Sequence, residues 1–228
     1  DITRKGLQKL RDCQQVRNVT LQFDNPASES LVPLLNDVSQ VWGAEAESVS
    51  MSRRDNLLDF GLHGTDQHVL FRMSHGPPDG DFFAKLIGLT KAIKLLLSLK
   101  NPDSQTMAIV QSLPNLSHLE FIEFRGMDDN SYQMVARLDS LEFLKLHGSM
   151  HKFNANIPVD FFATLGCRDS LCRVDLRNVG ITRAHVLLLL EYPRLESLMI
   201  HYDGEDFNSE WGISKEWLPE LRKSIAED

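Results

Sequence analysis

Four side chains that could bind zinc lie close together in the sequence: His147, His151, Cys167 and Cys172. Imidazole nitrogens and thiolates are the usual ligands of structural zinc sites. However, neither the His pair nor the Cys pair has the spacing of a familiar zinc finger. The sequence therefore favours a surface His147 and two cysteines that hold no metal, and it predicts no metal site.

A hydrolase triad can also be drawn from Asp175, His147 and Ser149. No Gly-x-Ser-x-Gly elbow presents Ser149 as a nucleophile. The stretch Gly61–Gly64 has neither the glycine spacing nor the lysine that a phosphate-binding loop needs. We therefore expect no catalytic residue, no cofactor and no enzymatic activity.

A recurring apolar pattern predicts the elements that would position these side chains. Four blocks follow the spacing Leu-x-x-Leu-x-Leu or a close variant of it: Leu116, Leu119, Phe121; Leu141, Leu144, Leu146; Leu171, Val174, Leu176; and Leu195, Leu198, Ile200. The middle residues of successive blocks are 25, 30 and 24 positions apart, enough for one short strand and one returning helix. Helices are predicted at 28–41, 81–89, 103–112, 131–138, 158–165 and 182–191, each starting at or near Ser, Thr, Asp or Pro.

The pattern resembles that of leucine-rich-repeat proteins. The stretches 113–121 and 192–200 almost superimpose as two copies of one unit, and 174–182 resembles the family's strand and descending turn. The resemblance implies an α/β fold: a leucine-rich-repeat solenoid (horseshoe) with short parallel strands on the concave face and helices on the convex face. Asn178 stands one position early for the family's buried Asn, which indicates irregular repeats.

Length and composition agree with one continuous domain, because 228 residues with 42% hydrophobic content can bury a large core. We expect a single irregular repeat domain over 1–228, made of degenerate repeats at 1–88, the clearest repeats at 89–201 and a C-terminal cap at 202–228. Residues 48–73 leave two alternatives open. They form either further repeats or a hairpin of Leu57–Leu62 with Val69–Phe71.

Residues that alternate with the core positions must point off the concave sheet. Aromatic, Met and Arg side chains among them are typical of protein-recognition surfaces. The predicted partner-binding residues are His118, Glu120, Ile122, Phe143, Lys145, His147, Arg173, Asp175, Arg177, Met199 and His201. The sequence thus predicts a surface that binds a protein rather than a catalytic pocket.

Charge and cysteine content narrow the choice of partner and compartment. A net charge of −8 disfavours nucleic acid, because a phosphate backbone demands clustered Lys and Arg, although a patch of Arg168, Arg173 and Arg177 leaves specific RNA contact open. The odd count of 3 cysteines suits a reducing compartment, the cytoplasm or nucleus. No apolar run is long enough to cross a bilayer, so we expect no membrane partner.

The style of the repeats, for instance in 189–198, resembles the substrate-binding region of F-box leucine-rich-repeat proteins. The resemblance implies a non-catalytic protein–protein interaction module that acts as substrate receptor of a cullin-type ubiquitin ligase. The helical F-box itself is not recognisable in these 228 residues. The alternative is a leucine-rich-repeat scaffold subunit of a nuclear or RNA-processing multiprotein complex, which would use the same face.

Overall fold

A computed structural model gives the fold and describes residues 3–13, 15–24, 33–34, 37–38, 40–42, 46–54, 57–64, 68–74, 92–99, 101–148, 157–204 and 207–213. The chain divides into two compact units. The first comprises Asp1–Leu99 and Asp103–Leu116, and the second comprises Lys100–Pro102 and Ser117–Asp228. Each unit contains five of the described strands.

The first unit begins with a helix, and its strands follow. The bounds are α1, Arg4–Asp12; β1, Asn18–Asp24; β2, Ala46–Arg54; β3, Leu57–Gly64; β4, His68–Ser74; and β5, Lys94–Ser98. A short helix α2, Ser104–Met107, continues as a 3₁₀ turn at Ala108–Ser112, where the sequence predicts one helix. Parts of the helix predicted at 28–41 are helical, whereas the helix predicted at 81–89 lies outside the described residues.

The strands β2, β3 and β4 form an antiparallel meander, and this pairing decides between the alternatives for residues 48–73. Leu62 pairs with Val69 and Phe60 pairs with Phe71, so the hairpin is confirmed. β1 runs parallel to β4, and β5 runs parallel to β2. The resulting strand order is β1–β4–β3–β2–β5.

The second unit alternates strands with short helices. The bounds are β6, His118–Phe124; α3, Asp129–Ala136; β7, Phe143–Gly148; α4, Phe161–Thr164; β8, Arg173–Arg177; α5, Arg183–Leu190; β9, Ser197–Gly204; and β10, Phe207–Ile213. β6 to β9 pair in parallel in sequence order, and β10 pairs antiparallel to β9. The predicted spacing is confirmed here, because Leu119, Leu144, Val174 and Leu198 occupy one register position across the four parallel strands.

The predicted leucine-rich-repeat solenoid is wrong. In a solenoid each repeat stacks only on its neighbours in sequence, whereas β1 pairs with β4, and the pairs β2–β3, β3–β4 and β9–β10 are antiparallel. The fold is instead α/β with mixed parallel and antiparallel strand pairing. Within the predicted cap at 202–228, residues 207–213 form β10, and 214–228 lie outside the described residues.

The core of the second unit lies on one side of β6–β9. Alternate residues on these strands, for instance Leu146 and Leu176, are fully buried, as a strand with one covered face requires. The three helices add further buried side chains, including Val135, Phe161 and Leu189. The alternate residues of the same strands lie on the other side, away from this core.

His185 fixes the start of α5. Its Nδ1 accepts a hydrogen bond from the backbone N–H of Thr182 at 3.0 Å, and its Nε2–H donates to the carbonyl of Ile157 at 3.0 Å. Nδ1 is thus the acceptor nitrogen of the ring and Nε2 the donor. The ring also meets Phe162 edge-on at 5.8 Å, and the Tyr192 hydroxyl donates to the carbonyl of Phe162. The contacts hold α4, α5 and the turn after α5 together.

Candidate functional site on the strands of the second unit

The predicted partner-binding residues lie on one face of β6–β9, which we call the strand face. Because the strands are parallel and in register, each position contributes one residue per strand and the residues form rows. The three rows are His118, Phe143, Arg173, Ser197; Glu120, Lys145, Asp175, Met199; and Ile122, His147, Arg177, His201. The structure thus brings all eleven predicted residues together on one surface.

The first row is a stack of rings and one cation. The rings of His118 and Phe143 meet edge-on with centroids 5.7 Å apart, and the Arg173 guanidinium lies 5.1 Å from the Phe143 centroid. Ser117 shares a hydrogen bond of 2.8 Å with Nδ1 of His118, a support that the strand pattern alone does not indicate. Arg173 is exposed and Phe143 is half-buried. The row therefore presents an aromatic side chain that is already oriented by its neighbours.

The second row contains two carboxylates that are each held by a cation. Lys145 Nζ lies 3.4 Å from Glu120 Oε2. The Arg177 side chain, which stands in the third row, donates through Nε to both carboxylate oxygens of Asp175, at 2.9 and 3.2 Å. A guanidinium nitrogen of Arg177 also lies 3.4 Å from the Met199 sulfur. The charges of this row are therefore largely satisfied within the strand face.

The third row is the one farthest toward the carboxyl ends of the four strands. Ile122, His147, Arg177 and His201 are all half-buried. After Ile122 the pairing of β6 shifts, because Glu123 adopts a φ of 62° and Phe124 pairs with Gly148. Such a bulge interrupts the alternation of side chains, so β6 adds no further residue to the face.

The predicted binding residues differ in how much of each side chain is exposed. The side chains of Glu120 and Asp175 are only 10% and 4% exposed, whereas that of Arg177 is 35% exposed. The alternation of the strands places both acids on the outward side, but each is almost fully covered and paired: Glu120 with Lys145 on the next strand, and Asp175 with Arg177 on its own strand. A partner that docks on this face would therefore meet cations, imidazoles and Phe143 before it met a carboxylate.

The residues considered for zinc binding and catalysis are placed as follows. Cys167 is buried, and Cys172 donates from Sγ to the Ser170 carbonyl at 3.2 Å. His151 and Ser149 lie outside the described residues, and within the described part of the chain no group of three or more His, Cys, Asp or Glu could hold a metal ion. Asp175, the acid of the candidate hydrolase triad, accepts hydrogen bonds from Arg177. The absence of catalysis stays a prediction.

Burial predicts a clear difference in reactivity among the cysteines. Burial raises the pKa of the Cys167 thiol from 9.0 to about 12, which keeps it neutral and unreactive near neutral pH. Titration with a chromogenic disulfide should therefore modify the exposed Cys13 quickly and Cys167 only on unfolding. Cys13→Ser supplies the control, because it should remove the fast phase alone. A fast phase that survives in Cys13→Ser but disappears in Cys167→Ser would contradict this assignment.

The same pKa shift predicts a loss of stability in alkali. The unfolded thiol begins to ionise near its ordinary pKa of 9.0, while the folded thiol stays protonated up to about 12. The folded state then binds more protons than the unfolded state, so the free energy of unfolding should fall as pH rises through that interval.

Comparison with known proteins leaves the function to be inferred from the site itself. No family model, curated protein or solved structure matches this chain. In the described part of the chain, no helix is both long and apolar enough to span a bilayer. The proposed function therefore rests on the strand face.

Proposed function

We propose that this chain is a non-catalytic protein-recognition module that binds a protein partner on the strand face. The observation that carries the proposal is the Arg173–Phe143–His118 stack, in which an aromatic side chain is held between a cation and an imidazole on paired strands. The few residues that carry most of the binding energy at protein interfaces are enriched in large aromatic side chains and Arg. Their fixed orientation lowers the entropic cost of association.

The resemblance of the sequence repeats to the substrate-binding region of F-box leucine-rich-repeat proteins extends the proposal to the role of the bound partner. On that basis the partner is a substrate presented to a cullin-type ubiquitin ligase. Affinity purification of the natural full-length protein followed by mass spectrometry distinguishes the two roles. Recovery of a cullin and its adaptor supports the substrate receptor, whereas a stable set of partners without them supports a scaffold subunit of a nuclear or RNA-processing complex.

Replacing the aromatic anchor tests whether the strand face binds the partner. Phe143→Ala should reduce the recovered partner by about tenfold or more, as the loss of a central aromatic contact does at other interfaces. The free energy of unfolding should fall by only about 1 kcal/mol, because the ring is half-buried and its cation contact is partly exposed. Quantitative mass spectrometry and thermal unfolding of the same samples measure the two effects.

Val159→Ala is the matched control for this experiment. Val159 is a large exposed apolar residue of the same unit, at 46% exposure, but it precedes α4 and lies off the strand face. Its truncation should leave partner recovery unchanged. Equal recovery with Phe143→Ala and Val159→Ala would mean that the partner binds elsewhere.

A further inference from the structure

The charge of the strand face differs from that of the whole chain. The sequence carries a net charge of −8. The strand face, by contrast, carries the cations Lys145, Arg173 and Arg177 against the acids Glu120 and Asp175, together with three His residues. A local cationic surface on an acidic protein favours partners of the opposite charge.

The exposure of the individual side chains further favours an acidic partner. The two carboxylates are almost covered and already accept from Lys145 and Arg177. Arg173 is exposed, and no ion pair engages it among the described residues. Its guanidinium lies 5.1 Å from the centroid of the Phe143 ring, and the planar set of N–H donors on an arginine side chain can bind a carboxylate at two points.

The size of the charged patch favours a peptide over a nucleic acid. A nucleic-acid strand presents a phosphate at every nucleotide and needs many clustered cations to displace its counterions. The strand face carries three cations, and the chain as a whole has a net negative charge. A short segment with one or two carboxylates beside an apolar side chain matches both Arg173 and Phe143.

We infer that the strand face recognises an acidic peptide segment of its protein partner, with an Asp or Glu side chain bound to Arg173 and an adjacent apolar side chain against Phe143. This inference rests on the proposed function and names the chemistry of the partner. It requires that reversal of the charge at residue 173 change which peptides bind, and not only how tightly they bind.

Selection from a random peptide display library against the full chain tests the inference. The wild-type protein should enrich peptides that carry Asp or Glu next to a Leu, Phe or other apolar residue. Arg173→Glu should lose that enrichment and favour Lys or Arg at the same position. A selected acidic peptide should bind Arg173→Glu at least about tenfold more weakly than the wild type in fluorescence anisotropy, as loss of a paired charge does at other interfaces.

Arg168→Glu is the charge-reversal control at a second exposed arginine, which unlike Arg173 forms an ion pair, with Glu191 at 2.7 Å. Arg168 is also exposed and lies over an aromatic ring, 5.7 Å from the centroid of Tyr192, but it belongs to the 3₁₀ turn at Gly166–Asp169 before β8. This variant should select the same acidic peptides as the wild type. Loss of acidic enrichment in Arg168→Glu as well would overturn the assignment of the carboxylate to Arg173.

The outcomes separate this inference from the proposed function. Peptides that lose binding in Phe143→Ala but show no acidic enrichment would overturn the inference and leave the strand face as the binding site. Peptides that bind Phe143→Ala as well as the wild type, or failure to enrich any peptide, would count against the proposed function itself. Tighter binding of an oligouridylate than of the best peptide, lost in Arg173→Glu, would overturn the inference in favour of RNA.

Discussion

Gly148→Ala is expected to destabilise the second unit by ~3 kcal/mol or more, the upper end of the cost of overpacking. A Cβ built on Gly148 would lie 2.0 Å from the carbonyl oxygen of Asn178 and 2.9 Å from its carbonyl carbon. The clash is with backbone, so no side-chain rotation relieves it. Asn178 is buried, and its N–H donates to the His201 carbonyl at 2.9 Å, which keeps its peptide in place.

Chemical denaturation followed by circular dichroism measures this loss. Gly6→Ala is the control, because it makes the same chemical change in α1, where the added Cβ would meet Thr3 Oγ1 at an ordinary 3.5 Å. Since Ala is the better helix former, Gly6→Ala should be neutral or slightly stabilising, by up to ~1 kcal/mol. A Gly148→Ala protein with the denaturation midpoint of the wild type would show that β7 and β8 can separate at this point without cost.

The sequence predicts the parallel strands of the second unit well, because their signal is local. A strand with one covered face places an apolar residue at every second position, and four such blocks recur at intervals of 24 to 30 residues. Each interval contains a helix in the structure, as a parallel crossover requires. Local patterning and connection length therefore suffice to position Leu119, Leu144, Val174 and Leu198 in one register.

The error in fold class has an equally physical origin. Extending the repeat to both ends assumes that every connection is long enough to return the chain in parallel. Two residues separate Arg54 from Leu57, and two separate Gly204 from Phe207. A connection of two residues can join only antiparallel strands. The short connections were therefore a feature of the sequence that argued against the solenoid. The pairing of β1 with β4 depends on contacts between distant segments, which no local pattern reports.

The sequence likewise predicts one property of the candidate site and misses another. Alternation along each strand correctly predicts which side chains leave the core, including Phe143 and Arg173. It does not predict burial by other side chains of the face, so Asp175 is expected to be available for binding although the structure covers it. That coverage depends on which residue stands beside Asp175 and on its length, and therefore on the rotamer of Arg177. Arg177 is thus in part a structural residue of the strand face.

Arg177→Glu is accordingly expected to lower the free energy of unfolding by about 2–3 kcal/mol, below the 3–5 kcal/mol typical of breaking a fully buried pair. The variant removes both hydrogen bonds of 2.9 and 3.2 Å that Arg177 Nε donates to Asp175. It also places a second carboxylate beside one whose side chain is 4% exposed. The loss is smaller because the arginine side chain is partly exposed and solvent screens the pair. Thermal unfolding and urea titration measure the change.

A double-mutant cycle separates loss of the charge pair from loss of packing, because the two residues are in direct contact. Asp175→Asn combined with Arg177→Met removes both charges while keeping side chains of similar length, so the double variant should be more stable than Arg177→Glu and than Arg177→Met alone. The reason is that an unpaired buried carboxylate costs more than a neutral pair. Equal stability of Arg177→Met and the double variant would mean that Asp175 finds another partner.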